Sequence, residues 1–267
     1  MRTLELGGGK VEQRGRTTRF VIPPTTNRAY ADAQWDDYHG LRRARFPHRP
    51  PVRLSLRARF SHEADQLGGT AGFGFWNDPF TLSGGGVLAA PNTLWFFAAS
   101  PPNDQYLRDG VPGRGWKAAT LNTGRWPGLV VAPAAAVAIL LTRIPGLGRP
   151  IMKLARRMIK ANEKLIDLKM TEWHEYALDW RAGEAVFGVD GVELLRASTP
   201  PAGPLGFVMW IDNQYAVASE AGQFGFGLIA HAEERWMEIE NLRKENVEGG
   251  LLWQSGLTAC ASKVAAV

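Results

Sequence analysis

Along most of this chain apolar and polar residues alternate with a period of two, the spacing that sends successive side chains to opposite faces of a β-strand. The cleanest run is Val52 to Phe60: Val52, Leu54, Leu56, Ala58 and Phe60 fall on one side, and Arg53, Arg57 and Arg59 on the other. From Glu172 the alternation returns, with His174, Tyr176, Leu178 and Trp180 sharing a face. After Arg181-Ala182-Gly183 a second strand, Ala185 to Val189, reaches Asp190-Gly191, a strong hairpin signal, and continues as Val192 to Leu195. Further strands are predicted over Thr18–Ile22, Ala29–Tyr38, Thr70–Asp78, Asn92–Ser100, Trp116–Leu121, Pro204–Asn213 and Arg235–Arg243. Pro23-Pro24, Pro47 and Pro50-Pro51 mark strand ends or edges.

Three stretches break the pattern. Residues 1–16 are Gly-rich and charged and read as a flexible arm ahead of a single domain over 17–250. Residues 251–267 read as a C-terminal tail. Between about 126 and 170 a helical insert is expected: Leu129 to Leu141 is apolar but too short to span a bilayer, and Ile151 to Met170 mixes Met152, Ala155, Ile159 and Ile166 with Lys153, Arg156, Arg157, Lys160 and Lys164. Such an insert serves as a helical hairpin on the sandwich edge, as a lid or peripheral membrane contact through residues 129–170, or as an oligomer contact.

The spacing W-H-x-Y-x-x-D-W at Trp173 to Trp180, followed by F-x-V-D-G at Phe187 to Gly191, resembles a strand pair of glycoside hydrolase family 16 domains and related concanavalin A-like lectin-glucanase jelly rolls. Pro204 to Asn213 resembles the strand that crosses the concave face of that fold, and Arg235 to Arg243 its closing strand. The resemblance covers about residues 51–245. It implies an all-β, concanavalin A-like jelly-roll sandwich of two antiparallel sheets, here carrying the helical insert. It also implies an E-x-D-x-E motif on one concave strand, supplying the two carboxylates of a retaining glycosidase. The strand expected in that place, Asn92 to Ser100, reads NTLWFFAAS and has no acid.

Composition narrows the class without naming a ligand. The chain has 267 residues, 45% of them hydrophobic and 21% charged, with 30 Gly and 17 Pro, which suits one soluble β-rich domain with many turns. Its net charge of +5 is spread over two modest basic clusters, Leu41 to Arg45 and Lys153 to Lys169, with no concentrated face, so nucleic acid is not an expected partner. One cysteine, Cys260, excludes an intrachain disulfide, and together with the absence of a secretory signal pattern it suggests a cytoplasmic protein. No metal-ligand spacing, phosphate loop or nucleophile elbow occurs, and no cofactor is expected.

Two tetrapeptides carry the candidate chemistry: Phe75-Trp76-Asn77-Asp78 and Trp210-Ile211-Asp212-Asn213. Each sets an indole beside an Asp and an Asn at a strand end, where the indole would stack on a sugar ring and the polar groups would meet hydroxyls; turn chemistry is the alternative reading. Asp78 and Asp212 are the candidate catalytic residues, with Trp76, Asn77, Trp95, Phe97, Trp210 and Asn213 as ligand contacts. Glu238 and Glu240, and Glu175 and Asp179, also alternate, but read as carboxylates of a solvated face. The leading expectation is a divergent family 16-like protein binding a saccharide or glycoconjugate in a concave cleft. The alternative is an enzyme acting on a small apolar or amphipathic metabolite, of lipid, terpenoid or polyketide type, under the insert. Neither enzymatic activity nor oligomeric state follows from the sequence.

Overall fold

A computed structural model of the protein describes residues 1–79, 89–124, 141–142, 144 and 146–246. Its strands form two stacked sheets. The front sheet has the order β1 (Arg2–Leu6), β4 (Asp32–Asp36), β14 (Gly206–Asp212), β6 (Thr70–Trp76), β7 (Asn92–Ala99), β9 (Gly115–Asn122), β10 (Lys160–Leu165). The back sheet runs β13 (Val192–Ala197), β12 (Glu184–Val189), β11 (His174–Arg181), β5 (Val52–Phe60), β17 (Arg235–Asn246), β3 (Thr17–Ile22), β2 (Lys10–Arg14). Neighbouring strands within both sheets are antiparallel, and the chain folds as a concanavalin A-like jelly-roll sandwich. A small third sheet joins β8 (Asp104–Gln105), β15 (Gln214–Ala218) and β16 (Phe224–Leu228).

Alternation decides which side chains meet between the sheets. All five inward residues of β5 are at most 2% exposed. Aromatic rings then bridge the layers: Phe73 to Tyr176 at 5.3 Å, Phe96 to Phe187 at 5.3 Å and Phe75 to Trp180 at 5.5 Å between centroids. Truncating any of these fully buried rings to Ala would cost about 3–5 kcal/mol.

The W-H-x-Y … V-D-G signature is a structural device. Asp190 has φ 50 and Gly191 φ 79, as a type I′ hairpin turn requires. The Asp190 carboxylate accepts the Glu175 amide at 2.8 Å and lies 2.6 Å from His174 Nδ1, tying the turn to the start of β11.

Several expectations change. Residues 1–16 form β1 and β2, edge strands of the two sheets rather than an arm, paired to β4 and β3. The helix expected over Ile151–Met170 is α1 (Gly148–Met158) only, and the next residues form β10 beside β9. Those residues, KANEKL, favour helix intrinsically; the ladder to β9 and a buried ion pair between Lys117 and Glu163 at 2.8 Å override that preference. Residues 126–140 of the expected insert and the 251–267 tail lie outside the described residues. Glu238 and Glu240 lie on the outer face of the back sheet, held by Arg19 and Arg59, and by Arg57 and Thr17, respectively. On the same face Glu175 is exposed, whereas Asp179 is buried beside Arg53 rather than solvated.

Candidate functional site

The outer face of the front sheet collects the side chains that point away from the core. Strand register orders them in rows. One row reads Asp36, Val208, Gly74, Trp95, Ala119; the next Gln34, Trp210, Gly72, Phe97, Lys117; and the next Asp32, Asp212, Thr70, Ala99. Trp76 begins the opposite end, across from Gly206 and Thr93. One half of this face is therefore aromatic and the other acidic.

Glycine makes the aromatic half. Strands β7 and β14 both flank β6, so their backbones are about 9.6 Å apart at roughly 4.8 Å per strand. Trp95 and Trp210 nevertheless have centroids 5.4 Å apart, because β6 presents Gly72 and Gly74 beneath them. A Cβ on Gly72 would lie 3.1 Å from the Trp210 ring, and one on Gly74 would lie 2.7 Å from Trp95 Cβ. Phe97 stacks on Trp95 at 5.2 Å and Trp76 approaches it at 6.1 Å, giving a continuous plate. Trp210 and Phe97 are buried in it, while Trp76 and Trp95 are half-buried and form its accessible edge. Trp76 Nε1 donates to the Tyr38 hydroxyl at 2.6 Å.

The acidic half is wired to that plate. Trp210 Nε1 donates to Thr70 Oγ1 at 2.9 Å, and Thr70 Oγ1 donates to Asp212 Oδ1 at 2.8 Å. The backbone amides of Thr70 and Gln214 donate to the same oxygen. Directly across the ladder from Asp212 stands Asp32, 2% exposed, with its Oδ1 lacking a hydrogen-bond partner among the described residues. Burial pushes the Asp212 carboxyl up to about 7. Burial, and then the Asp212 charge, raise Asp32 well above the usual carboxylate range. The Tyr30 phenol lies beside Asp32 and is itself raised, by burial and then by the Asp212 and Asp32 charges. Both shifts favour the protonated form of the pair. Asp36 is committed elsewhere, accepting from Gln34 Nε2 and from the Tyr38 and His39 amides.

The two carboxylates singled out in the sequence are not brought together. Asp212 pairs with Thr70 at one end of β6, while Asp78 lies beyond the other end, past about 20 Å of strand at roughly 3.3 Å per residue. Asp78 is buried in a turn with φ 42, where the Arg43 guanidinium grips the carbonyls of Asn77 and Asp78. Both asparagines hold the scaffold. Asn77 bonds Ala90 O and the Asn92 amide, and Asn213 bonds the carbonyls of Ala29 and Ile229 and the Ala31 amide. Trp76, Trp95, Phe97, Trp210 and Asp212 do share one face. Asp32, Gln34 and Tyr30 were missed; the signal for the first two was Asp32-x-Gln34-x-Asp36, whose alternation puts all three on one side of a strand. Among the described residues no group of His, Cys, Asp and Glu is arranged to hold a metal ion.

Neither protein-family models nor curated proteins match the chain. Solved structures do. A Bacteroides ovatus mixed-linkage-glucan GH16 protein in complex with a G4G4G3G product superposes over 89% of this chain and 85% of its own, at 8% identity and a TM-score of 0.44. A legume lectin-like domain from Entamoeba histolytica covers 92% and 90% at 7% identity and 0.45. The Bacillus licheniformis β-glucanase covers 86% and 79% at 8% identity and 0.40. The likeness is one of fold alone.

Proposed function

We propose that the outer face of the front sheet binds a glycoconjugate, with the apolar part of the ligand against Trp76, Trp95 and Trp210 and its hydroxyls toward Asp212, Asp32 and Gln34. One observation carries this reading: an aromatic plate and a buried carboxyl pair lie in adjoining rows, joined through Thr70. Indoles contribute large apolar contact to the aglycone, and a carboxyl pair that shares a proton both donates to and accepts from hydroxyls. Quenching of tryptophan fluorescence by octyl glucoside below its micellar range, compared with glucose and with octanol, tests it. Octyl glucoside is expected to bind at least tenfold more tightly than either fragment. No quenching by any of the three would overturn the reading.

A second reading, an enzyme on a small amphipathic substrate, is favoured by the pair itself. A carboxyl titrating near 7 beside a second carboxyl suits general acid–base work at neutral pH. The reacting pair is then Asp212 with Asp32, not Asp212 with Asp78. Asp212→Asn would abolish turnover, with loss of product formation as the readout.

A further inference from the structure

A second surface, away from the plate, combines exposed apolar side chains with exposed basic ones. The hairpin of β15 and β16 leaves the front sheet at Gln214, immediately past Asp212 and Asn213, and its outer face carries Phe226 at 90% exposure and Phe224 at 43%. Register places Phe226 opposite Ala216 and Phe224 opposite Ala218, so both rings stand on the same side. The turn of this hairpin packs on the start of α1. A Cβ on Gly148 would fall 2.0 Å from Ala221 O, and one on Gly222 would fall 2.9 Å from the Thr142 side chain. The residues around that contact, Leu141, Ile144 and Leu147, are 41%, 48% and 39% exposed.

Helix α1 shows three stripes. Gly148 and Met152 are buried, and Arg156 turns toward the body of the protein, pairing with Asp109 at 3.2 Å and covering the Tyr106 ring. Leu147, Ile151 and Leu154, spaced four and three apart, form an outward apolar stripe in which Leu154 is 60% exposed. Arg149, Lys153 and Arg157, each four apart, form an exposed basic stripe, and α1 contains no acid. Glu220, in the hairpin turn, offsets part of this charge. No described helix is long and apolar enough to cross a membrane.

We propose that α1 and the β15–β16 hairpin together dock on an anionic lipid surface, Phe224, Phe226 and Leu154 entering the interface while Arg149, Lys153 and Arg157 meet the headgroups. Shallow apolar insertion beside a row of cations is how interfacial elements bind reversibly, with the basic residues conferring preference for negative lipid. A membrane fits this surface better than a second copy of the chain, because a copy would set the same basic stripe against itself or leave it unused. The docking does not depend on the identity of the ligand at the aromatic plate.

Flotation of the full chain with phosphatidylcholine vesicles, with and without phosphatidylserine, is the test. The expected result is at least tenfold more protein on the phosphatidylserine vesicles at low salt, falling as salt rises. Phe226→Ser combined with Phe224→Ser, and separately Arg149→Glu with Lys153→Glu, should each reduce that fraction about tenfold while the circular dichroism spectrum and Tm stay those of the parent. Equal flotation of parent and both variants, or no flotation on either vesicle, overturns the proposal. So does a concentration-dependent dimer that the phenylalanine variant dissolves.

Discussion

Trp95 and Trp210 belong to strands that are not neighbours, yet their rings meet at 5.4 Å over the two glycines of the strand between them. That contact explains why the Gly-x-Gly of β6 lies beneath the plate, and why the outer face of this sheet is filled by its own side chains. A methyl group on Gly72 would lie 2.2 Å from Phe96 O, a backbone atom that cannot swing away. Gly72→Ala should therefore cost about 1–3 kcal/mol or more in urea unfolding and weaken the near-ultraviolet circular dichroism of the packed indoles.

Asp212 sets a pH dependence whose sign can be worked out. Its folded-state carboxyl titrates at about 7, above its ordinary value of 3.8, so between these the native state binds more protons than the unfolded one. Stability contributed by the protonated group is complete below about pH 4 and is lost as pH rises through 7. Asp212→Asn removes that term while its amide oxygen can still accept from Thr70 and Gln214. The variant should gain stability over the parent at pH 8, by a few kcal/mol at most at about 1.4 kcal/mol per unit, and the gap should close toward pH 4. Thermal melts across that range read it directly. A parent that is more stable than the variant at pH 8 would remove the argument.

Thr70 is the joint between plate and acid. Thr70→Val keeps the shape but leaves the buried Trp210 N–H without its acceptor, at a cost of about 1–3 kcal/mol. It also deprives Asp212 of a hydrogen bond that lowers its pKa, so the carboxyl should titrate still higher, as carbon-13 NMR of the labelled side chain would show.

How far the sequence led depended on how each strand is buried. β5, with one dry and one charged face, and β7 and β14, apolar on both, could be read from their residues because burial left its mark on them. β1, β2 and β10 are edge strands with mostly exposed side chains, and nothing in RTLEL, KVEQR or KANEKL alternates strongly enough to announce them. The aromatic plate was foreseeable as Trp76, Trp95, Phe97 and Trp210, since each residue type carries its own signal. The carboxyl pair was not, because it depends on β4 lying next to β14, strands widely separated in the chain. Tandem Asn-Asp and Asp-Asn looked like a matched set, but Asp78 sits in a turn where Arg43 holds the backbone and Asn77 closes the loop.

Calorimetric titration of octyl glucoside into the parent, Trp95→Ala and Asp212→Asn proteins most directly tests whether one face holds both halves of a ligand. Trp95→Ala should bind octyl glucoside at least tenfold more weakly and leave glucose affinity little changed, whereas Asp212→Asn should reduce octyl glucoside to the affinity of octanol. Equal affinity of all three proteins for octyl glucoside would contradict the assignment of this face as the binding site.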